Sequence, residues 1–149
     1  MQARLNYPEA SPAAYKAMFA LETAAREGAI ELSLAELVRM RVSQINGCAF
    51  CLDMHSHDMI EQGEHSQRIF LLDGWRESPL YSDRERAALA WAELLTKLPD
   101  SHVRDADYAA LDAHFDDREK TDLTLLIVAI NGWNRFGVGF DVKHPDRTV

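Results

Sequence analysis

Helix-start signals recur along the whole chain, whereas the alternating pattern of a β-strand is hardly found. Ser11 followed by Pro12 supplies an N-cap and a first-turn proline before an apolar face that ends near Gly28. Residues 33–36 (Ser-Leu-Ala-Glu) and 82–85 (Ser-Asp-Arg-Glu) both have the spacing of a capping box, in which the fourth residue reaches back to the helix start. The sequence therefore predicts an all-α fold.

The caps and apolar stripes divide the chain into about six to seven helices. We expect these helices over residues 13–27, 33–46, 48–62, 66–72, 82–98, 105–115 and 118–136. The segment from Gly137 onward carries glycine, proline and polar residues, and we expect it to be extended or mobile. A length of 149 residues suits one core, so residues 1–149 are predicted to form a single helical domain.

Charge and hydropathy disfavour two classes of partner. The net charge is −8, and the sixteen Lys and Arg residues are scattered without forming a basic stripe, so nucleic acid is not an expected partner. Polar residues follow Met1 where a signal peptide needs an apolar run, and the apolar stretch at 125–130 is too short to cross a bilayer. We therefore expect no membrane partner and a cytoplasmic location, in which thiols stay reduced.

The chain has two cysteines, and they are separated by only two residues. Cys48, Cys51 and His55 stand at positions i, i+3 and i+7, which places two sulfurs and an imidazole on one helix face. A helix that begins after Gly47 presents free amides that stabilise a thiolate at Cys48. His55 lies one turn after Cys51, close enough to take the thiol proton or to pair with the thiolate. The pattern predicts a reactive redox site at a helix N-terminus.

Other uses of the cysteines fit less well. Free cysteines can fill a core, and a disulfide across so short a loop constrains the unfolded chain little. Zinc would need Cys48, Cys51, His55 and a fourth ligand such as His57, but no second Cys/His pair lies in a separate segment. Haem attachment needs a histidine directly after the second cysteine, where Leu52 stands. We therefore expect neither a metal nor a cofactor.

The pattern Glu36-x11-Cys48-x2-Cys51-x3-His55 resembles the core motif of the AhpD-like alkylhydroperoxidases, which belong to the carboxymuconolactone decarboxylase superfamily. The resemblance is closest over residues 34–58, and residues 131–135 (Asn-Gly-Trp-Asn-Arg) are similar to the late helix of the group. It implies an all-helical protomer that assembles into trimers or hexamers. It also implies a peroxidase that reduces hydroperoxides through the cysteine pair, with Cys48, Cys51, His55 and Glu36 as the catalytic set.

The individual roles stay open at this point. The resemblance makes Cys51 the cysteine that attacks the peroxide and Cys48 the one that resolves the sulfenic acid, whereas the helix N-terminus favours Cys48 as the more readily ionised thiol. Glu36 is both the N3 residue of the capping box at 33–36 and, by resemblance, a relay partner of His55. The best-known members of the family can carry a histidine just before the second cysteine, where this chain has Phe50.

Three functions remain as hypotheses. The first is a thiol-dependent hydroperoxide reductase in antioxidant defence, whose partners are a hydroperoxide and a reductant such as a lipoyl protein, a thioredoxin-like protein or a small thiol. The others are a general disulfide oxidoreductase or redox sensor, and a zinc-binding module. The segment 123–130 is apolar around its circumference, which predicts a homo-oligomer. Trp133 and Arg135 are expected in the core or at an interface and not in the site.

Overall fold

The computed structural model describes residues 2–147, and within this range every regular element is a helix. The eight α-helices are α1 Tyr7–Ala10, α2 Pro12–Arg26, α3 Leu32–Asn46, α4 Ala49–Glu61, α5 Ser66–Leu71, α6 Asp83–Thr96, α7 Asp105–Asp112 and α8 Asp117–Gly139. Short 3₁₀ turns follow α5 and α6, at Leu72–Gly74 and Leu98–Asp100. The all-α prediction is confirmed, and the seven predicted helices are all present. The additional one is the four-residue α1.

α3 is the central helix of the fold, since it packs against α4, α6 and α8. Every residue from 34 to 43 is buried, although an isolated surface helix would expose half of them. Two apolar clusters lie on opposite sides of α3. The first joins Val38 and Val42 to α6 and α8, and the second joins Leu37 and Met40 to α4, α5 and Trp75. Polar residues of α3 that fall between these clusters are buried as well.

The predicted capping box at the start of α3 is wrong, whereas the one at α6 is confirmed. α3 begins at Leu32 with Glu31 at its N-cap, and no side chain caps it. Glu36 is only 1% exposed, and its carboxylate is occupied by two other side chains, so it does not reach back to the helix start. At α6, by contrast, Ser82 Oγ accepts from the Glu85 amide and the Glu85 carboxylate accepts from the Ser82 amide.

The last helix is longer than predicted, because Gly137 lies inside it and not in an extended tail. α8 continues to Gly139, and the ring of Tyr7 packs on Phe136 and Phe140 at centroid distances of 5.0 and 5.6 Å. These contacts cover the final turn and hold it helical. The chain then turns at Asp141, whose φ is +53°, and the Val142 amide donates to the Gly137 carbonyl at 2.9 Å.

The apolar segment 123–130 of α8 is covered inside the protomer. α8 packs on α2, α3, α4, α6 and α7, and within the segment only Val128 is exposed. Burial inside the protomer therefore accounts for the apolar circumference of residues 123–130. The homo-oligomer that this circumference suggested stays a prediction. Within residues 2–147 no helix, α8 included, combines the length and the apolarity that a transmembrane span needs.

Candidate active site

The cysteine pair lies at the break between α3 and α4. Gly47 ends α3 with a φ of +66°, a left-handed conformation that glycine adopts without steric cost. The Cys48 amide then reaches back to the Ser43 carbonyl at 3.1 Å, which is the bond of a Schellman helix end. Cys48 is the N-cap residue of α4, so the predicted position of the CxxC pair at a helix N-terminus is confirmed.

Asparagines of α8 hold this break in place. The Asn46 side-chain amide donates to the oxygens of Asn131 at 3.0 Å and of Asn134 at 2.9 Å. Asn134 in turn donates to Ser43 Oγ at 3.0 Å, in the last turn of α3. Asn131 and Asn134 therefore fix the cysteine turn, and neither of them lines the cavity beside it. Arg135 is exposed and bonds back to Asn131 on its own helix.

Cys48 and Cys51 form a disulfide that is almost fully buried. Their relative exposures are 1% and 3%, and the Cys51 amide donates to Cys48 Sγ at 3.3 Å. α8 crosses the pair at Gly137, where a methyl group would lie 2.7 Å from Cys48 Sγ and 3.5 Å from Cys51 Sγ. Only a residue without a side chain allows α8 to pass this close. The sequence prediction did not include Gly137 in the site.

His55 and Glu36 are brought together across two helices. His55 lies on the buried face of α4 with Cys51, and its Nδ1 is 2.8 Å from Glu36 Oε2 on α3. An ionised carboxylate only accepts hydrogen bonds, so this contact places the proton on Nδ1 and leaves Nε2 as the acceptor nitrogen. His55 Nε2 is buried and has no hydrogen-bond partner within residues 2–147. It is free to exchange a proton with a sulfur or a substrate.

Arg39 continues the network beyond the predicted residues. Its guanidinium donates to Glu36 Oε1 at 2.9 Å and to Glu22 Oε1 on α2 at 3.2 Å, although Arg39 is only 1% exposed. Burial raises the pKa of Glu36, but the hydrogen bond and charge of His55 and the charge of Arg39 outweigh it and hold the pKa below its usual range. Glu36 therefore remains a carboxylate at neutral pH.

A cavity of about 370 Å³ borders Cys51 and His55. Cys51 lines this cavity and Cys48 does not. The aromatic part of the wall consists of Tyr7, Tyr15, Phe19, Phe50 and Trp133. Its polar part comes from the charged residues Glu22, Arg26 and Arg39. The Trp133 indole donates to Glu22 Oε2 at 3.2 Å, which joins the aromatic wall to the ion-pair network. Trp133 is thus a cavity residue, contrary to the expectation from sequence.

The zinc set proposed from the sequence is not assembled. Both sulfurs are bonded to each other, and His57 is turned toward Glu61 on the outer side of α4. Two groups within residues 2–147 have the spacing for a metal ion, namely Glu36 with His55 and Asp58, and His57 with Asp58 and Glu61. Neither includes a cysteine. With the disulfide formed, the CxxC pair is therefore not part of either group.

Comparisons with known proteins agree with this fold. Residues 12–94 match the model of the carboxymuconolactone decarboxylase family. The uncharacterized protein YdfG of Bacillus subtilis is 41% identical over 138 residues, which cover 93% of this chain and 94% of YdfG.

Solved structures show the same helical arrangement. A protein of unknown function from Agrobacterium tumefaciens, provisionally placed in antioxidant defence as AhpD, is 43% identical with a TM-score of 0.94, over 98% of this chain and 100% of that one. The debrominase Bmp8, in complex with 2,3,4-tribromopyrrole, is 20% identical with a TM-score of 0.81, over 92% of this chain and 73% of its own. At that identity Bmp8 shares the fold alone.

Proposed function

The chain belongs to the carboxymuconolactone decarboxylase family, and from that premise we propose that it is a thiol-dependent hydroperoxide reductase. One observation carries the proposal. Cys51 borders an aromatic cavity, and His55, one turn further along α4, has a free Nε2 and a carboxylate partner behind it. The antioxidant-defence assignment of the similar protein from Agrobacterium tumefaciens is consistent with this chemistry.

In the first step the reduced enzyme cleaves the peroxide bond. The Cys51 thiol gives its proton to His55 Nε2, and the thiolate attacks the terminal oxygen of the hydroperoxide. The O–O bond breaks, the departing alkoxide takes the proton from His55, and the products are an alcohol and a sulfenic acid on Cys51. Glu36 stabilises the imidazolium that exists between the two proton transfers, as the carboxylate of a catalytic triad does.

In the second step Cys48 resolves the sulfenic acid. The Cys48 sulfur attacks Cys51 Sγ, hydroxide leaves and takes up the Cys48 proton as water, and the disulfide seen in the structure is formed. Cys51 is the attacking cysteine in this scheme because it borders the cavity and Cys48 does not. A thiol reductant must then return two electrons to the pair. A cytoplasmic location, where such thiols are abundant, is part of the proposal.

The cavity favours organic hydroperoxides over hydrogen peroxide. Five aromatic side chains line it, and burying an apolar substrate group against them contributes binding free energy that a molecule of two oxygens cannot gain. The burial of both sulfurs counts against a general disulfide oxidoreductase, because such an enzyme must present its disulfide to folded protein substrates.

Thiol counting tests the proposal directly. The reduced protein should lose two thiols for each equivalent of cumene hydroperoxide and release one equivalent of the alcohol. Cys51→Ser should abolish the reaction, whereas Cys48→Ser should still consume one equivalent and accumulate a sulfenic acid that dimedone traps. Unchanged peroxide reduction by Cys51→Ser in which no thiol is consumed would remove the thiol mechanism. Trapping on Cys48 in Cys51→Ser would instead exchange the roles of the two cysteines.

A further inference from the structure

One helix supplies a continuous strip of the cavity wall. Four residues of α2 line the cavity, namely Tyr15, Phe19, Glu22 and Arg26, and we call them the α2 strip. They stand at intervals of four, three and four residues, which places them on one face of the helix. With a rise of about 1.5 Å per residue, the strip is about 16 Å long. It is aromatic at its start and charged at its end, so the two ends of a ligand lying along it meet different chemistry.

The charged end of the strip belongs to a chain of side chains linked by hydrogen bonds. From His55 this chain runs through Glu36, Arg39 and Glu22 to Arg26. Its last link is the bond from Arg26 Nε to Glu22 Oε1, at 2.7 Å. Arg39 is almost fully buried, whereas the side chain of Arg26 is 51% exposed. The chain therefore joins the His55 imidazole to a cation that solvent reaches.

The carboxylate of Glu22 is already surrounded by donors. Its Oε1 accepts from Arg26 Nε and from Arg39 Nη2, and its Oε2 accepts from the Trp133 indole at 3.2 Å. Glu36, the other carboxylate of the chain, does not line the cavity. Within residues 2–147 the charged side chains of the wall are thus two guanidiniums and one carboxylate. The wall presents one more cation than anions to a ligand.

Arg26 has the geometry to hold a carboxylate. A guanidinium carries about five N–H donors and binds a carboxylate through two parallel hydrogen bonds. The bond to Glu22 uses Nε, and the two Nη nitrogens lie beyond it on a half-exposed side chain. A carboxylate matches the surplus charge of the wall, whereas a phosphate monoester brings about two negative charges close to Glu22. The strip therefore favours an organic acid over an organic phosphate.

We propose that Arg26 is an anion subsite at the exposed end of the cavity, where it holds the carboxylate of an organic acid whose apolar body lies against the aromatic wall. The substrate class follows if the proposed hydroperoxide reductase function is correct: the substrate is then a hydroperoxide that also carries a carboxylate. Its carboxylate lies at Arg26, its apolar body contacts Phe19 and Trp133, and its peroxide group is beside Cys51. Binding at Arg26 needs no redox step, so the subsite and the peroxidase function are tested separately.

An unreactive acid tests the subsite without peroxide. The probe is 4-isopropylbenzoate, and 4-isopropylbenzamide is its uncharged counterpart of nearly the same shape. Dissociation constants for the oxidised protein are measured by NMR titration at low ionic strength. The wild type should bind the acid about three- to tenfold more tightly than the amide, because a charged hydrogen bond contributes more than a neutral one. Arg26→Ala should remove this preference, and Arg26→Lys should keep part of it.

Lys16→Ala is the matched control, because it removes an exposed cation from the same helix outside the cavity. It should leave the preference for the acid unchanged. Added salt should weaken binding of the acid more than binding of the amide, since it screens the half-exposed Arg26. Equal binding of acid and amide by the wild type, no binding of the acid, or a preference that survives in Arg26→Ala would overturn the subsite.

A matched pair of hydroperoxides tests whether the subsite serves the substrate. Cumene hydroperoxide and its para-carboxylate differ only in the anionic group, and thiol loss from the reduced protein follows both reactions. The ratio of the second-order rate constants, carboxylated over neutral, should fall about three- to tenfold in Arg26→Ala and stay constant in Lys16→Ala.

The two parts of the proposal fail in different ways. Arg26-dependent binding of 4-isopropylbenzoate, with no thiol loss to either hydroperoxide, would refute the proposed function and support the subsite. Reduction of both hydroperoxides with a ratio that Arg26→Ala does not change would support the proposed function and overturn the substrate class.

Discussion

Gly137 of α8 lies directly against Cys48, so that a Cβ atom on this glycine would be 2.7 Å from the cysteine sulfur. Gly132, five residues earlier on the same helix, has a comparable contact, because its Cβ would lie 2.9 Å from Met18 Cε. Met18 and Cys48 differ in how easily their side chains can move away. Met18 can move the end of a flexible side chain, whereas the Cys48 sulfur is held by a disulfide.

Alanine substitutions at the two glycines should therefore have opposite effects. Gly137→Ala should destabilise the oxidised protein by about 1–3 kcal/mol through overpacking. Gly132→Ala should be neutral or stabilising by up to about 1 kcal/mol, because alanine favours a helix more than glycine does. Urea unfolding of both oxidised variants provides the comparison. Equal stability of the two variants would show that the disulfide makes room for a methyl group as easily as the Met18 side chain does.

Glu36→Gln should separate a relay role from a merely structural one. Loss of the carboxylate removes the partner that holds the proton on His55 Nδ1, so peroxide reduction should fall by about 10²-fold or more. Glu93→Gln is the control, because Glu93 is another buried carboxylate that accepts hydrogen bonds from an arginine and a ring N–H, but neither it nor its partners Arg41 and Trp75 line the cavity.

Both substitutions break a buried ion pair, which typically costs about 3–5 kcal/mol of stability. Only Glu36→Gln should also slow the reaction of the thiols with peroxide, measured by stopped-flow at a temperature where both variants are folded. Equal activity of the two variants would leave Glu36 with a structural role alone.

The depressed pKa of Glu36 predicts a specific loss of stability in acid. A carboxyl group whose pKa is lower in the folded state than its ordinary value of 4.5 stabilises the fold at pH values above 4.5. That contribution disappears as the pH falls through the folded-state pKa. The free energy of unfolding should therefore fall more steeply for the wild type than for Glu36→Gln between about pH 5 and about pH 3. Parallel curves for the two proteins would contradict the assigned direction of the shift.

Trp133→Phe should change substrate preference. The indole forms part of the cavity wall and is fixed by its bond to Glu22, so a smaller, unbonded ring leaves a looser wall. We expect kcat/KM for cumene hydroperoxide to fall by about three- to tenfold and that for hydrogen peroxide to stay nearly constant. Trp91→Phe is the control, because the Trp91 indole also donates one hydrogen bond, to Thr124, but does not line the cavity. An equal fall with both peroxides would exclude a role in selection.

The helices and the cysteine turn could be predicted because their signals are local. Proline at a helix start, the Ser82 capping box and the Gly47 break each act within a few residues of chain. Glu36 shows the limit of such signals. Its spacing from Ser33 satisfies a capping box, and only the arrival of Arg39 and His55 at its two oxygens decides otherwise. Gly137 shows the same limit, since the glycine that suggests a helix end is used here for close packing.

The proximity of Glu36, His55 and Cys51 could be predicted better than the cavity. Glu36, His55 and Cys51 lie within twenty residues of each other, and their spacing on consecutive helices brings them together. Glu22, Tyr15 and Trp133 come from helices distant in sequence, and aromatic residues at such positions are equally typical of a core. The contact of Arg39 with Glu36 could have been predicted, because residues at i and i+3 on a helix face each other. Its contact with Glu22 could not, because the two residues lie on different helices.

The cavity has a consequence for how such a chain can diverge. The residues proposed for the thiol chemistry lie on α3 and α4, whereas Tyr7, Tyr15 and Phe19 come from the first two helices, which contribute little to the buried core. A substitution in the buried part of α3 disturbs two apolar clusters at once, but one at the half-buried Tyr15 or the exposed Phe19 of α2 costs less stability. Substitutions near the N-terminal end of the sequence could therefore change the wall that a substrate would meet, while the residues proposed for catalysis on α3 and α4 stay the same.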